Sequence, residues 1–297
     1  MSKTDSMSCG QSSQIRSLRF GFWSFFGIWF LVLGISPAGS ADQPTSVAEQ
    51  RVAWLREKVA AMRVIPTRES NAACKLREEP IIKWSNPVSG ADGAVFVWTS
   101  DGRPVALAKC HLNNRNFYHI ETLISISDNR LRMSEAGQVS WEPTEPGVKF
   151  ATLEDLGAPA ATEPLRLAQM RRAVREFRFV DNWGENGGTT KSEWELRLMP
   201  APLLRYSSAS EKIIDGALFA FAQGTNPEAL VLVEAVESET GRVWRAAPSR
   251  LSGYQMRGWH KDRLVLDVEK VQPAIRTASL FQRSRTVSPF PFPEKSE

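Results

Sequence analysis

Short apolar runs bounded by turn residues follow one another from residue 94 to residue 268. Examples are residues 94–99, 104–112 and 229–236, and Asp101-Gly102 is a tight-turn pair between the first two. Because β-branched and aromatic residues favour strands while Gly, Asn and Pro end them, the pattern predicts a series of hairpins. Hairpins join neighbouring antiparallel strands, so most of the chain is expected to form antiparallel β-sheet.

Two segments outside these runs have helical periodicity. Residues 46–62 begin with Ser46 and Glu49 at capping-box spacing, and apolar residues then recur every three or four positions. Residues 162–179 begin with Thr162, a capping residue type, and carry an apolar stripe that runs to Phe177. The sequence therefore predicts an α+β fold in which two amphipathic helices pack on mostly antiparallel β-sheet.

One pentapeptide occurs twice in similar form. Asp92-Gly-Ala-Val-Phe96 matches Asp215-Gly-Ala-Leu-Phe219 at four positions of five, and a turn and an apolar return strand follow each copy. This predicts internal duplication of a β-hairpin or meander unit, with the second helix between the copies. Two unrelated hairpins are the alternative, because Asp-Gly is a common turn pair.

The N-terminus has the features of a secretory signal peptide. Arg16 and Arg19 precede an apolar run over residues 20–35, and small residues lead to Ala41. An uncleaved anchor is the alternative, and both place the body of the protein outside the cytoplasm, secreted or periplasmic. We expect a signal peptide at 1–41, a helix and linker at 42–79, a core domain at 80–270 and a disordered, Pro-containing tail at 271–297.

Charge argues against nucleic acid as a partner. The formal net charge is +4, but residues 1–41 contribute three basic side chains and one acidic one, so the rest is close to neutral. A near-neutral protein has no broad positive field to attract polyphosphate. A membrane is expected as a partner only if the N-terminal segment is retained.

The sharpest chemical hypothesis is a metal site on one hairpin. If residues 113–116 form its turn with Arg115 at the centre, His111 faces His119, and Glu121 lies on the same face. These three side chains could hold a metal ion, whereas a shift of register by one residue separates them. The alternative is a solvated polar face. Cys74 and Cys110 form a disulfide in an oxidising compartment or remain two separate thiols.

A longer motif carries a family resemblance. The stretch from Asp215 to Ala235 resembles a motif of an exported protein family from planctomycete-type bacteria that has no assigned activity. The resemblance covers roughly residues 80 to 270 and implies a shared fold without a ligand or an activity. The residues that carry it are Asp215, Gly216, Phe219, Gly224, Asn226, Pro227 and Glu228.

No catalytic or cofactor signature accompanies these features, and no cofactor is expected. The sequence has no Gly-x-Ser-x-Gly and no Ser-x-x-Lys motif, so we do not expect a serine enzyme of those classes. We predict an envelope module that binds or scaffolds polysaccharide or protein through Trp side chains on a sheet surface. The alternative is a hydrolase of envelope polymer that uses a His-bound metal or carboxylates. Its candidates are Glu121, Asp215, Glu228 and Glu234.

Overall fold

The computed structural model describes residues 46–67, 73–86, 91–113, 118–182, 193–239, 241–271 and 280–286. These residues form antiparallel sheets of three, four, six and six strands together with two α-helices. The predicted α+β class, rich in antiparallel sheet, is thereby confirmed. The predicted signal peptide at 1–41 lies outside the described residues.

Among the described residues, the first half of the protein contains one helix and eight strands. Its helix begins with the predicted capping box of Ser46 and Glu49, and it buries Val52, Leu55 and Val59. In chain order the elements are α1 (Val47–Ala60), β1 (Met62–Pro66), β2 (Lys75–Leu76), β3 (Ile82–Asn86), β4 (Ala91–Ser100), β5 (Arg103–Asn113), β6 (Tyr118–Ser125), β7 (Leu131–Glu135) and β8 (Gln138–Trp141).

The second half follows a short connection made of β9 (Ala151–Thr152) and a 3-10 turn (Glu154–Leu156). Its elements are α2 (Glu163–Val174), β10 (Phe177–Asp181), β11 (Trp194–Glu195), β12 (Arg197–Leu198), β13 (Leu204–Ser208), β14 (Ile213–Gln223), β15 (Asn226–Ser238), β16 (Gly241–Arg250), β17 (Met256–His260) and β18 (Arg263–Val268). A last strand, β19 (Leu280–Thr286), comes after them.

The second helix is shorter than the sequence pattern predicts. It ends at Val174, and Phe177 lies in β10, where Phe177 and Phe179 are buried on either side of exposed Arg178. Phe177 fits a helical stripe and an alternating strand equally well, so periodicity alone could not place the end of the helix. Thr162 stands at the N-cap position, but its side chain makes no capping hydrogen bond.

The two halves repeat both the order and the pairing of their elements. In each half the strand after the helix pairs with the strand after the meander, β1 with β7 and β10 with β17. A β-bulge follows Trp98 in the first half and Phe221 in the second. These two residues are as far apart along the chain as Asp92 and Asp215, so the bulges occupy equivalent positions. The predicted duplication is thus confirmed as a structural repeat, and it covers the helix and the outer strands as well as the hairpin.

Two central six-stranded sheets form the middle of the protein. The first contains β2 to β6 with β19, and the second contains β12 to β16 with β9. Val95, Leu107 and Ile124 of the first sheet share one buried core with Leu218 and Leu230 of the second. The two sheets therefore pack face to face, and the helices with the two smaller sheets cover their outer faces.

The last strand of each half pairs with the other half. β9 follows the first half and pairs with β16 over two residues, whereas β19 follows the second half and pairs with β6 over seven. Residues 280–286 lie in the segment predicted as a disordered tail, and in the structure they form β19, whose backbone completes a sheet edge. α1 packs on β4, and β2 pairs with β4, so both elements that precede residue 80 belong to the same compact unit as the predicted core domain.

Within the described part of the chain, the structure contains no helix that is both long and apolar enough to cross a membrane.

Candidate functional site

Charged side chains from both halves meet at the two ends of the interface between the central sheets. At one end Arg103 of β5 reaches Glu234 of β15, and at the other end Lys109 of β5 reaches Glu228 of β15. We call these groups the Arg103 cluster and the Lys109 cluster. Because β5 and β15 run in opposite directions across the interface, each strand contributes to both clusters.

The Arg103 cluster satisfies its buried carboxylate completely. Glu234 accepts hydrogen bonds from Arg103 Nε at 3.0 Å, from the Tyr206 hydroxyl at 2.9 Å and from Arg245 Nε at 2.8 Å. Arg103 Nη1 also donates to Asp128 at 2.8 Å, and the Phe150 ring lies 5.1 Å from Arg103 and 4.2 Å from Arg245. With every charge paired, this cluster is suited to joining the two halves.

The Lys109 cluster contains fewer donors for its buried charges. Lys109 Nζ donates to the Pro227 carbonyl oxygen at 2.7 Å and to Glu228 Oε2 at 3.1 Å, and the Asn226 amide donates to Glu228 Oε1. Burial lowers the pKa of Lys109 and raises that of Glu228, and each charge opposes the shift of the other. The nearby imidazole of His111 stays neutral, because desolvation and the charge of Lys109 lower its pKa to about 3.

Asp181, at the end of β10, is a buried carboxylic acid beside this cluster. Its residue is 1% exposed, and neither carboxylate oxygen has a hydrogen-bond partner among the described residues. Burial and then the charge of Glu228 raise the pKa of Asp181 to about 7, against the opposing charge of Lys109. Asp181 therefore exchanges its proton near neutral pH, which makes this end of the interface sensitive to pH.

We expect Asp181→Asn to stabilise the protein at pH 8 and to have little effect at pH 4. The pKa of Asp181 is about 7 in the folded protein against an ordinary 3.8, so stability falls as pH rises between these values. Asn carries no charge, so the variant should gain about 1 to 3 kcal/mol at pH 8, or a few degrees in melting temperature. Thermal unfolding at both pH values measures the difference, and an equal offset at both would contradict it.

The structure divides the three residues of the predicted metal site between two faces of the sheet. β5 and β6 pair with Leu112 opposite His119 and Cys110 opposite Glu121, so the predicted register is wrong by one residue. His119 and Glu121, 3.5 Å apart, face α1, where the Trp54 ring meets His119 edge-on. His111 points into the other face, and no group of three or more metal-ligating side chains occurs among the described residues.

Cys74 and Cys110 are separate thiols in the structure and do not form the disulfide that was the other predicted alternative. Cys110 is buried under α1, and Cys74 packs against the same core. Burial raises the pKa of the Cys74 thiol to about 11. A thiol with so high a pKa is a poor nucleophile at neutral pH.

The residues of the motif of resemblance have several different structural roles. Asp215 accepts hydrogen bonds from Arg166 of α2 at 2.9 Å and from Arg205 of β13 at 2.5 Å. Its counterpart Asp92 pairs with Arg51 of α1 in the same way, so each motif ties its helix to its sheet. Gly216 accommodates the Tyr206 ring, and Phe219 is buried beneath α2. Gly224 occupies a turn with φ +58°. Asn226, Pro227 and Glu228 belong to the Lys109 cluster.

The Trp residues do not form an exposed surface in the described part of the chain. Trp84, Trp98, Trp141 and Trp244 are buried. The three others that the structure describes are partly buried, and Trp259 is covered by the Arg178 guanidinium at 4.1 Å. Trp183 lies outside the described residues.

A cavity of about 300 Å³ opens in the second half, between the β9–β16 edge and the β17–β18 hairpin. We call it the rim cavity. Its polar lining residues are Lys149, His260 and Arg263. Its apolar lining includes Leu153, Phe177, Ala246, Pro248, Leu264 and Val265.

The repeat explains why the rim cavity is found in the second half. Ala246 lies opposite Val233 of β15, just as Glu121 lies opposite Cys110 of β5, so the two residues occupy equivalent positions. Glu121 is buried and pairs with His119, whereas the smaller side chain of Ala246 lines the rim cavity. Likewise, Pro248 takes the position of the fully buried Leu123.

Sequence reasoning missed the pairing of Lys109 with Glu228, the position of Asp181 beside them, and the rim cavity. Lys109 and Glu228 are separated by 119 residues, so no local pattern connects them. The spacing of the two pentapeptides aligns Glu121 with Trp244, and only the strand register of the structure places Ala246 against Glu121.

Comparison with known proteins identified no matching family model, no matching curated protein and no matching solved structure. The resemblance to the exported planctomycete-type family therefore stays a prediction.

Proposed function

We propose that the protein is an exported binding module and that the rim cavity is its ligand site. The observation that carries the proposal is the difference between the two halves. One fold is built twice, and the positions of buried Glu121 and Leu123 in the first half are taken in the second half by Ala246 and Pro248, which line a cavity. Loss of packing at one copy of a repeat costs stability, so a retained cavity is best explained by a ligand that fills it.

The size and lining of the rim cavity support this function. Its volume of about 300 Å³ lies at the lower end of the range for small-molecule sites. Buried Leu153 and Phe177 form an apolar floor, and Leu264 at the mouth is 48% exposed. An apolar floor with a few polar groups at the entrance is the usual composition of a ligand site.

The hydrolase alternative has less support from the candidate carboxylates. Glu121 lies beside His119, and Asp215, Glu228 and Glu234 each pair with an Arg or a Lys inside the fold. Carboxylates engaged in this way hold the two halves and their helices together. The exported location is proposed from the N-terminal leader alone. At that location the ligand would be one of the small molecules of the cell envelope.

The proposal predicts that Leu264→Ala weakens binding of the neutral apolar fluorophore N-phenyl-1-naphthylamine about tenfold. The variant removes buried ligand contact worth roughly 1 to 2 kcal/mol. Val139→Ala is the matched control, because Val139 is 51% exposed and occupies the equivalent position in the first half. Fluorescence titration measures both, and equal affinities for the two variants would refute the rim cavity as the site.

A further inference from the structure

We infer that the ligand of the rim cavity is an apolar molecule with one anionic group, of the class of medium-chain carboxylates. This inference rests on the proposed function, since it assigns a ligand class to the same cavity. It starts from the charge of the lining: Lys149 and Arg263 line the cavity, and no Asp or Glu is among its lining residues.

These two cations are available to a ligand. Neither the Lys149 nor the Arg263 side chain makes a hydrogen bond or an ion pair with any residue that the structure describes. Lys261, by contrast, pairs with Asp155 at 2.5 Å and with Glu176 at 3.7 Å. A guanidinium next to an apolar wall binds a carboxylate strongly, because its planar donors match the two oxygens.

The acidic side chains near this positive pair line a neighbouring cavity and not the rim cavity. A second cavity of about 470 Å³ adjoins the first, and Leu153, His260 and Arg263 line both. Its acidic lining residues are Glu154, Asp155, Glu176 and Asp262. Lys261 engages Asp155 and Glu176, and Glu176 also contacts His260 at 3.2 Å. The anionic group is therefore placed at the mouth, beside Arg263 and Lys149, with the apolar part on the floor.

The repeat supplies an independent argument for Arg263. In the first half Gln138 pairs with Glu135 at the start of β8, and in the second half Arg263 pairs with His260 at the start of β18. The half that has the open cavity thus has a cation where the other half has a neutral side chain. Cavity and charge occur together, as a site for an anionic apolar ligand requires.

The test compares three ligands with the same chain: decanoate, decanol and decylamine, each displacing N-phenyl-1-naphthylamine. We expect decanoate to bind at least tenfold more tightly than decanol, and decylamine to bind most weakly. Arg263→Gln, which installs the residue of the first half, should weaken decanoate about tenfold and decanol less than twofold. Arg63→Gln, at the exposed position of β1, is the control and should change the affinity for neither ligand.

Two results would overturn the inference while leaving the proposed function standing. One is equal affinity for decanoate and decanol, and the other is an equal loss of both ligands in Arg263→Gln. Displacement that does not depend on Leu264 would instead overturn the proposed function. Circular dichroism and melting temperature establish that each variant is folded, so a loss of binding reports on the cavity itself.

Discussion

Replacing Lys109 with Met is expected to lower the free energy of unfolding by about 3 to 5 kcal/mol. The change removes the ammonium that faces Glu228 at 3.1 Å, and it leaves the carboxylates of Glu228 and Asp181 buried together. An uncompensated buried charge costs far more than the pair itself contributes. Urea unfolding at pH 7 measures the loss.

The same substitution at the surface provides a control for the Lys109 experiment. Lys83→Met breaks an exposed pair with Glu79 at 3.7 Å and should cost less than about 1 kcal/mol. The double variant Lys109→Met with Glu228→Leu should recover part of the loss, because it removes the stranded carboxylate. A double variant as unstable as the sum of its two single changes would show that the pair is not coupled.

Local patterns were sufficient to predict the elements and the repeat. The capping box at Ser46 and Glu49 correctly placed the start of α1, and the twin pentapeptides at Asp92 and Asp215 marked the two copies. Each of these signals is confined to a few consecutive residues. Such signals can be recognised without knowledge of the tertiary structure, because backbone hydrogen bonding and side-chain alternation are local.

Register and interface chemistry could not be predicted in the same way. A shift of one residue between β5 and β6 moved His111 to the opposite face from His119, because side chains alternate along a strand. Lys109 meets Glu228, and Arg103 meets Glu234, across two packed sheets. Which strand faces which depends on how the whole sheets are stacked, and a single sequence does not specify that stacking.

The resemblance motif does not contain the residues of the candidate binding site. Glu228 lies in the Lys109 cluster, yet the binding candidate lies at Ala246 and Arg263, outside the motif. Small residues such as Ala246 carry no recognisable functional signal on their own. Their meaning here comes from comparison with Glu121 in the other half of the same chain.

Adding a methyl group at Gly216 is expected to destabilise the protein by about 3 kcal/mol, since overpacking of a rigid core is costly. A Cβ at this position would lie 2.5 Å from Cε2 of Tyr206, which crosses over the glycine from β13. The ring cannot move freely, because its hydroxyl donates to Glu234 in the Arg103 cluster. Gly216→Ala therefore disturbs packing and the buried charge network together.

Gly224→Ala provides the control for this effect, since it adds the same methyl group in an open turn. A Cβ there would meet no atom within 4 Å, but the backbone has φ +58°, so a cost of about 1 kcal/mol is expected from conformation alone. Gly93→Ala should behave like Gly216→Ala, because the Trp84 indole covers Gly93 in the equivalent place. Urea unfolding of the three variants compares them directly. Equal costs at Gly216 and Gly224 would mean that the aromatic cover does not require a glycine beneath it.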